Sequence, residues 1–231
     1  MERRFLFHAL ASGVSGRFTA PFQDLIEGQG ASALPSTGGY SASRVEGFRY
    51  KDILSLGAVT TLTVGSFSET KRTYDTLVTA TVEQLNILNV VTADRVVTRL
   101  ASAQPEGGGP PRVSILGSLI ENLSIAGYHL DVRPDPRPFE EYARPRRVEL
   151  RSLIDRPDLD ESCGFGIDED GAFEVPQFGK LYLAEFLSTA CYQSLTMLRV
   201  ELGCPVSTSG GGNPSALSIG HGASNGEFFP P

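Results

Sequence analysis

The residues whose type and spacing could support catalysis are three glutamates, each lying in a similar hexapeptide. The hexapeptides fit the pattern [Val/Ile]-Glu-x-[Leu/Phe]-x-[Ile/Tyr]: VEGFRY at 45–50, VEQLNI at 82–87 and IENLSI at 120–125. Carboxylates that folding brings together in a pocket can act as general acid and general base. A recurrence at roughly 38 residues also falls within the range typical of a structural unit used several times.

Strand geometry favours the structural interpretation of these hexapeptides. Side chains alternate between the two faces of a strand, so each glutamate should share a face with the apolar residues two and four positions later. This predicts three carboxylates at the rim of a sheet, each leading an apolar stripe that points into the core, where an inward charge discourages stray edge pairing. The residues are Glu46, Phe48 and Tyr50; Glu83, Leu85 and Ile87; and Glu121, Leu123 and Ile125. Chance similarity among short β patterns and three catalytic glutamates are the open alternatives, although nothing nearby supplies partner groups three times over.

Two glycine-containing motifs resemble known catalytic or binding loops. GASNG at 222–226 matches the nucleophile elbow, with Ser224 as nucleophile, but that elbow opens a helix and the following EFFPP cannot form one. GQGASA at 28–33 resembles a relaxed dinucleotide fingerprint, which also needs a helix, and LPSTGG follows it. Neither motif therefore predicts a catalytic residue or a cofactor site.

The densest acidic segment, DRPDLDESCGFGIDEDGAFE at 155–174, contains two candidate calcium ligands, Asp168 and Asp170. An EF-hand loop would place an oxygen ligand at position 166 and a glutamate at position 177, where this chain has Gly166 and Gln177. A solvated acidic loop and a loose calcium site are the two interpretations. The three histidines are scattered, and no His or Cys pair has zinc-ligand spacing.

The elements that would position these residues are predicted to be short strands. β-Branched residues and turn formers are frequent, and the sequence has 25 glycines and 15 prolines. The predicted strands cover 5–19, 42–50, 53–67, 76–88, 91–102, 112–117, 119–132, 147–154, 172–175, 180–189 and 193–202. We therefore predict an all-β fold, either an antiparallel β-sandwich or a β-rich repeat-like domain, with long Gly/Pro-rich loops and little helix.

The predicted organisation is a single β-rich domain over residues 1–206, with a seam at the proline-rich segment 133–147. Residues 207–231 are rich in glycine and serine, a composition typical of a mobile tail. Three cysteines do not make a disulfide framework, so Cys191 and Cys204 are expected to be free thiols that could pair only if the protein is exported.

Charge and hydropathy exclude some partners. The formal net charge is −7 and the pI about 5.0, so nucleic acid is an unsuitable partner. No apolar run approaches the ~20 residues that span a bilayer, and the first residues do not make a clear signal peptide. Compartment is therefore left unknown.

Two stretches carry a resemblance to a known family: TATVEQLNILNVVTADRV at 79–96, which contains a Thr-Ala-Asp motif, and GSLIENLSIAGYHLDV at 117–132. They resemble the bacterial extracellular β-rich domains grouped as choice-of-anchor proteins. The resemblance implies a non-enzymatic role at a cell surface or in a matrix. It assigns no catalytic residue.

We therefore expect a structural or interaction protein, a bacterial or virion component that assembles with copies of itself or a partner through edge strands or the 207–231 tail. The alternative is a β-sandwich module that binds carbohydrate or another surface ligand on its loops or open face. A hydrolase would require acids such as Glu83, Glu121, Asp94 or Asp131 to converge in a pocket. No cofactor is expected.

Overall fold

The protein is all-β in a computed structural model that describes residues 4–19, 23–135, 149–152, 165–169, 171–189, 192–203 and 215–229. Two antiparallel sheets pack face to face, which confirms the predicted β-sandwich class. The described residues contain no helix, so they include no helix with the length and hydrophobicity needed to cross a bilayer.

Eighteen strands make up the two sheets within the described part of the chain. They are β1 (Arg4–Phe18), β2 (Asp24–Gln29), β3 (Ser32–Ala33), β4 (Gly39–Glu46), β5 (Arg49–Tyr50), β6 (Leu54–Ser55), β7 (Ala58–Ser68), β8 (Thr73–Ile87), β9 (Val91–Pro105), β10 (Arg112–Ser114), β11 (Leu119–Ile125), β12 (Tyr128–Val132), β13 (Glu149–Ser152), β14 (Gly166–Ile167), β15 (Phe173–Val175), β16 (Gly179–Ser188), β17 (Tyr192–Leu202) and β18 (Ser215–Phe229).

The chain begins in one sheet, crosses to the other and then returns. Sheet I has the order β14-β15-β16-β17-β18-β1-β2, with β13 also on β16 and β3 also on β1. Sheet II follows β12-β11-β9-β8-β6-β5, with β10 on β9, β7 on β8 and β4 on β7. Strands β1, β17 and β18 of sheet I pack on β7, β8 and β9 of sheet II.

Strict alternation along the long strands of sheet II explains the core. In β8 the inward set Val78, Ala80 and Val82 is fully buried, whereas the intervening threonines Thr79 and Thr81 are half-buried on the outer face. Aliphatic side chains from both sheets fill the space between them. Burial of this apolar surface is the main favourable contribution to folding.

Buried hydroxyls also connect the two sheets. Thr98 Oγ1 on β9 donates to the carbonyl oxygen of Gly220 on β18 at 2.5 Å, and Thr61 Oγ1 on β7 donates to the carbonyl oxygen of Gly30 at 2.7 Å. Each bond satisfies a buried hydroxyl whose burial without a partner would cost free energy.

The separation of residues 207–231 from the domain as a Gly-rich C-terminal tail was wrong for residues 215–229. These residues form β18, which pairs with β1 on one side and β17 on the other at the centre of sheet I. The domain therefore includes this strand and does not end at residue 206. Residues 207–214 lie outside the described residues, as do Cys191, Cys204 and most of the predicted 133–147 seam.

Candidate functional site

The three repeated glutamates lie in one row across sheet II. Through successive strand pairings Glu46 is opposite Ala58, Ala58 is opposite Glu83, Glu83 is opposite Arg95, and Arg95 is opposite Glu121. The sequence spacing therefore reflects a real register: each motif reaches the same level of the sheet on a different strand.

The charged side chains of this row face solvent, and Glu46 and Glu121 form ion pairs. Arg95 Nη2 lies 2.7 Å from Glu121 Oε1, and this hydrogen bond raises the pKa of Arg95, with Glu83 adding a smaller attraction. Glu46 pairs with Arg44 at 2.7 Å on its own strand. The glutamates lie on the outer surface of the sandwich, where water screens each of them, and acid–base chemistry would need a closed pocket.

The feature common to the motifs is a backbone kink at the residue after each glutamate. Gly47, Gln84 and Asn122 have φ angles of 65°, 54° and 52°, in the left-handed region. A left-handed residue breaks the two-residue alternation, so the side chains immediately before and after it point to opposite faces of the sheet. In the second and third motifs the core therefore receives side chains three positions apart: Val82 with Leu85, and Ile120 with Leu123.

The predicted sharing of a face was consequently wrong, although the predicted burial was right. Leu85, Ile87, Leu123 and Ile125 are fully buried, and Phe48 and Tyr50 pack against the core from a half-buried position. The glutamates lie on the opposite face from the leucines. Glycine at 47 and asparagine at 122 are residue types enriched at positive φ, which was the one sequence signal for these kinks. Gln84 gave no such signal.

Hydrogen bonds to neighbouring segments hold the second and third motifs next to their left-handed residues. Asn122 Nδ2 donates to Asp94 Oδ2 at 2.5 Å, and the amide of Gly57 donates to the carbonyl oxygen of Glu83 at 2.9 Å. Asp94, one of the acids considered for a hydrolase, is thus held by a neighbouring amide. The side chain of Asp131 lies outside the described residues.

The calcium candidate Asp168 lies in the turn between β14 and β15. Its Oδ1 accepts from the amide of Ala172 at 2.8 Å, and its Oδ2 lies 2.8 Å from Lys180 Nζ. Lys180 also pairs with Glu174 at 2.8 Å, and hydrogen bonds to Asp168 and Glu174 raise the pKa of the lysine. No metal-sized group of His, Cys, Asp and Glu occurs in the described residues, and Asp170 lies outside them, so calcium binding stays a prediction.

A polar row on the outer face of sheet I contains a half-buried histidine. Ser12, His221, Thr196 and Glu185 are successive cross-strand partners, and His221 Nδ1 lies 2.9 Å from Thr196 Oγ1. Burial lowers the pKa of His221. Ser12 Oγ is buried and has no hydrogen-bond partner within the described protein, so it is not activated by this histidine.

A charged cluster extends this polar face. Arg199 makes a two-pronged ion pair with Glu185, with N–O distances of 2.6 and 2.8 Å, and also pairs with Glu201. Its guanidinium lies 3.6 Å from the centre of the Tyr182 ring, and both carboxylates raise the pKa of Arg199 against the effect of burial. Every charge in the cluster has a partner, which is typical of a stabilising network.

A recess opens between the sheets at the end of the sandwich where β8, β9, β17 and β18 meet. Two cross-strand pairs of polar residues face each other there, Thr76 with Ser102 in sheet II and Gln193 with Ser224 in sheet I. The rings of Phe5 and Tyr74 stack beside them, 4.2 Å apart and 16° from parallel. The recess is open to solvent at its mouth. Sequence reasoning missed this site, because its members lie on five strands from distant parts of the chain.

Fold and site together define an all-β sandwich domain with ion pairs on its outer faces and a polar, aromatic-walled recess between its sheets. The chain belongs to a family described as "Domain of unknown function (DUF8256)", whose profile matches residues 5–163. No curated protein and no solved structure matches the chain. The matched residues include all of sheet II and strands β1–β3, whereas β16, β17 and β18 lie beyond them.

Proposed function

We propose that this protein is a non-enzymatic structural or interaction component that assembles with a second copy of itself through the free edge of β4. This strand pairs with β7 along all eight of its residues, and no other described strand pairs with its opposite side. A free edge of this length offers a row of backbone donors and acceptors to another strand. This unpaired edge is the observation that carries the proposal.

The sequence of β4 suits pairing with itself. Its first five residues, Gly39–Ser43, carry no charge, no proline and no bulge, and the Tyr40 side chain is 76% exposed. An antiparallel, two-fold arrangement centred on Ser43 would set Tyr40 opposite Glu46 of the partner subunit and Arg44 opposite Ala42 of the partner subunit. No like charges would then oppose each other directly.

The outer face of sheet II gives such an assembly a surface for further contacts. Away from the glutamate row, half-buried aliphatic side chains alternate there with threonines; they are Leu62, Val64, Leu77, Val97 and Leu119. Pairing of two β4 strands would join two of these faces into one continuous sheet. A surface- or matrix-associated role, as the choice-of-anchor resemblance implies, is part of the same proposal.

Two adjacent proline substitutions test this proposal, because neighbouring residues of a strand direct their N–H groups to opposite sides. The two variants are Ala42→Pro and Ser43→Pro. The variant whose N–H pointed to β7 loses a hydrogen bond, so its thermal unfolding midpoint should fall below that of the wild type. The other variant loses only a donor on the free edge, so its midpoint should equal that of the wild type. Light scattering should show a wild-type mass that rises to a dimer with concentration, and a monomer for the proline variant that keeps its midpoint. A monomeric wild type, or dimerisation that survives this variant, would contradict the proposal.

A second candidate function is a module that binds a small neutral ligand, and the polar recess favours it. The sequence has no tryptophan, but Tyr74 and Phe5 supply an aromatic wall. A ligand that raises the unfolding midpoint of the wild type and not of Ser224→Ala would support this function. Equal effects on both proteins would oppose it.

A further inference from the structure

The three hydroxyls of the recess have unused hydrogen-bonding capacity. The side chains of Thr76, Ser102 and Ser224 are between 2% and 9% exposed, and none of them hydrogen-bonds to a described residue. The buried hydroxyls Thr61 and Thr98, deeper in the same core, do have carbonyl partners. Buried polar groups without protein partners are normally satisfied by water or by a ligand.

The other residues that line the recess restrict which ligands could hydrogen-bond to these three hydroxyls. Gln193 adds a buried amide beside Ser224, and its long 3.5 Å contact to the carbonyl oxygen of Thr189 leaves it weakly bonded. None of the described lining residues carries a charge. An ionic ligand would therefore lose its hydration without gaining a counter-charge, which disfavours acids and amines.

The aromatic wall adds a preference for a ligand with both apolar and polar faces. Phe5 and Tyr74 contribute aromatic carbon to the lining of the recess, beside the hydroxyl pairs. A polyhydroxylated ring matches this arrangement, because its C–H face packs on an aromatic side chain while its hydroxyls exchange hydrogen bonds with the protein.

A glycine-rich loop forms part of the mouth of the recess. Gln104 Nε2 donates to the carbonyl oxygen of Gly109 at 2.7 Å, and Pro111 at the end of the loop lines the opening. Gly108 and Gly109 have φ angles of 83° and 109° and nothing within 4 Å of where a side chain would begin. The side chain of Gln104 thus fixes the loop from within the recess.

We infer that this recess binds one neutral sugar or polyol ring, stacked on the Phe5–Tyr74 wall and hydrogen-bonded to Thr76, Ser102, Ser224 and Gln193. The inference rests on the second candidate function and names its ligand class. It is independent of assembly through β4, since the recess and β4 share no residue.

Saturation-transfer NMR on the full chain tests the inference with D-glucose, D-galactose, N-acetyl-D-glucosamine and myo-inositol as probes, and D-glucuronate as the charged control. At least one neutral probe should receive saturation, and glucuronate should not. Ser102→Ala and Ser224→Ala should each weaken binding about tenfold, the equivalent of one hydrogen bond. Ser12→Ala removes another buried, unpaired serine hydroxyl away from the recess and should leave binding unchanged.

Three results would overturn the inference: no transfer to any neutral probe, equal transfer to glucuronate, or binding that survives both Ser102→Ala and Ser224→Ala. A screen of neutral non-carbohydrate fragments distinguishes this failure from failure of the binding function itself. If fragments bind the wild type and not Ser224→Ala, the ligand-binding function stands and the sugar is excluded as its ligand. If neither fragments nor sugars bind, the ligand-binding function and the sugar inference are both contradicted.

Discussion

Replacing Asn122 with valine should destabilise the fold far more than removing the charge of the glutamate beside it. Asn122 holds a φ of 52°, and its amide donates to Asp94 at 2.5 Å. The left-handed region costs an ordinary L-residue about 1–2 kcal/mol, and a β-branched side chain is least suited to it. The lost hydrogen bond contributes about 1 kcal/mol. We expect Asn122→Val to reduce the free energy of unfolding by about 2–3 kcal/mol, a large share of the stability of a typical domain.

Two matched variants complete this experiment. Asn122→Gly keeps access to positive φ and should change the free energy of unfolding by less than about 1 kcal/mol. Glu121→Gln removes the charge that faces Arg95 at the solvent-exposed surface and should have an effect within the error of urea denaturation at 25 °C. If Glu121→Gln proved as damaging as Asn122→Val, the interpretation of the repeat as a backbone kink would be refuted.

Two further predictions concern sheet I. Gly222→Ala should cost about 1–3 kcal/mol because the new methyl would lie 2.9 Å from Val78 Cγ1, and Val78→Ala should recover part of this loss; additive effects in urea denaturation would show that the two residues do not touch. His221 has a pKa lowered by burial, so the unfolded chain binds its proton first, and the free energy of unfolding should fall as pH drops below 6.5. His221→Gln should make this fall shallower. Identical pH profiles for the two proteins would show that His221 does not cause the fall.

The long strands of sheet II were predictable because β-branched residues, which favour strands, are frequent in them. The predicted segments 76–88 and 91–102 are rich in valine and threonine, and β8 and β9 cover nearly all of them. The repeat of the three motifs in the sequence also corresponds to their common row across the sheet. What alternation could not show was the left-handed residue in each motif, because a single residue outside the β region reverses the face of everything that follows it.

Strand β18 could not be predicted from local composition. Its glycines are typical of a flexible tail, yet two of them make room for side chains from elsewhere in the sandwich. A Cβ at Gly222 would press on Val78, and one at Gly226 would overlap the ring of Phe5. The requirement for glycine therefore comes from residues more than 100 positions away, which a local pattern does not contain.

The recess was not predictable for a related reason. Its polar pairs become a site only when β8 and β9 of sheet II face β17 and β18 of sheet I. Alternation predicts to which side of their strands Thr76 and Ser102 point, whereas Ser224 lies in a segment that was not predicted as a strand. Alternation does not predict which strands lie across the core, because contacts between sheets follow from topology and not from local periodicity.

Hydrogen–deuterium exchange of strand β4 is the most direct test of the proposed assembly. The account predicts that the amides of residues 39–46 that point away from β7 exchange rapidly in dilute protein and slowly at high concentration. Their neighbours, already bonded to β7, should be protected under both conditions. Rapid exchange of the outward amides at every concentration would contradict assembly through this edge.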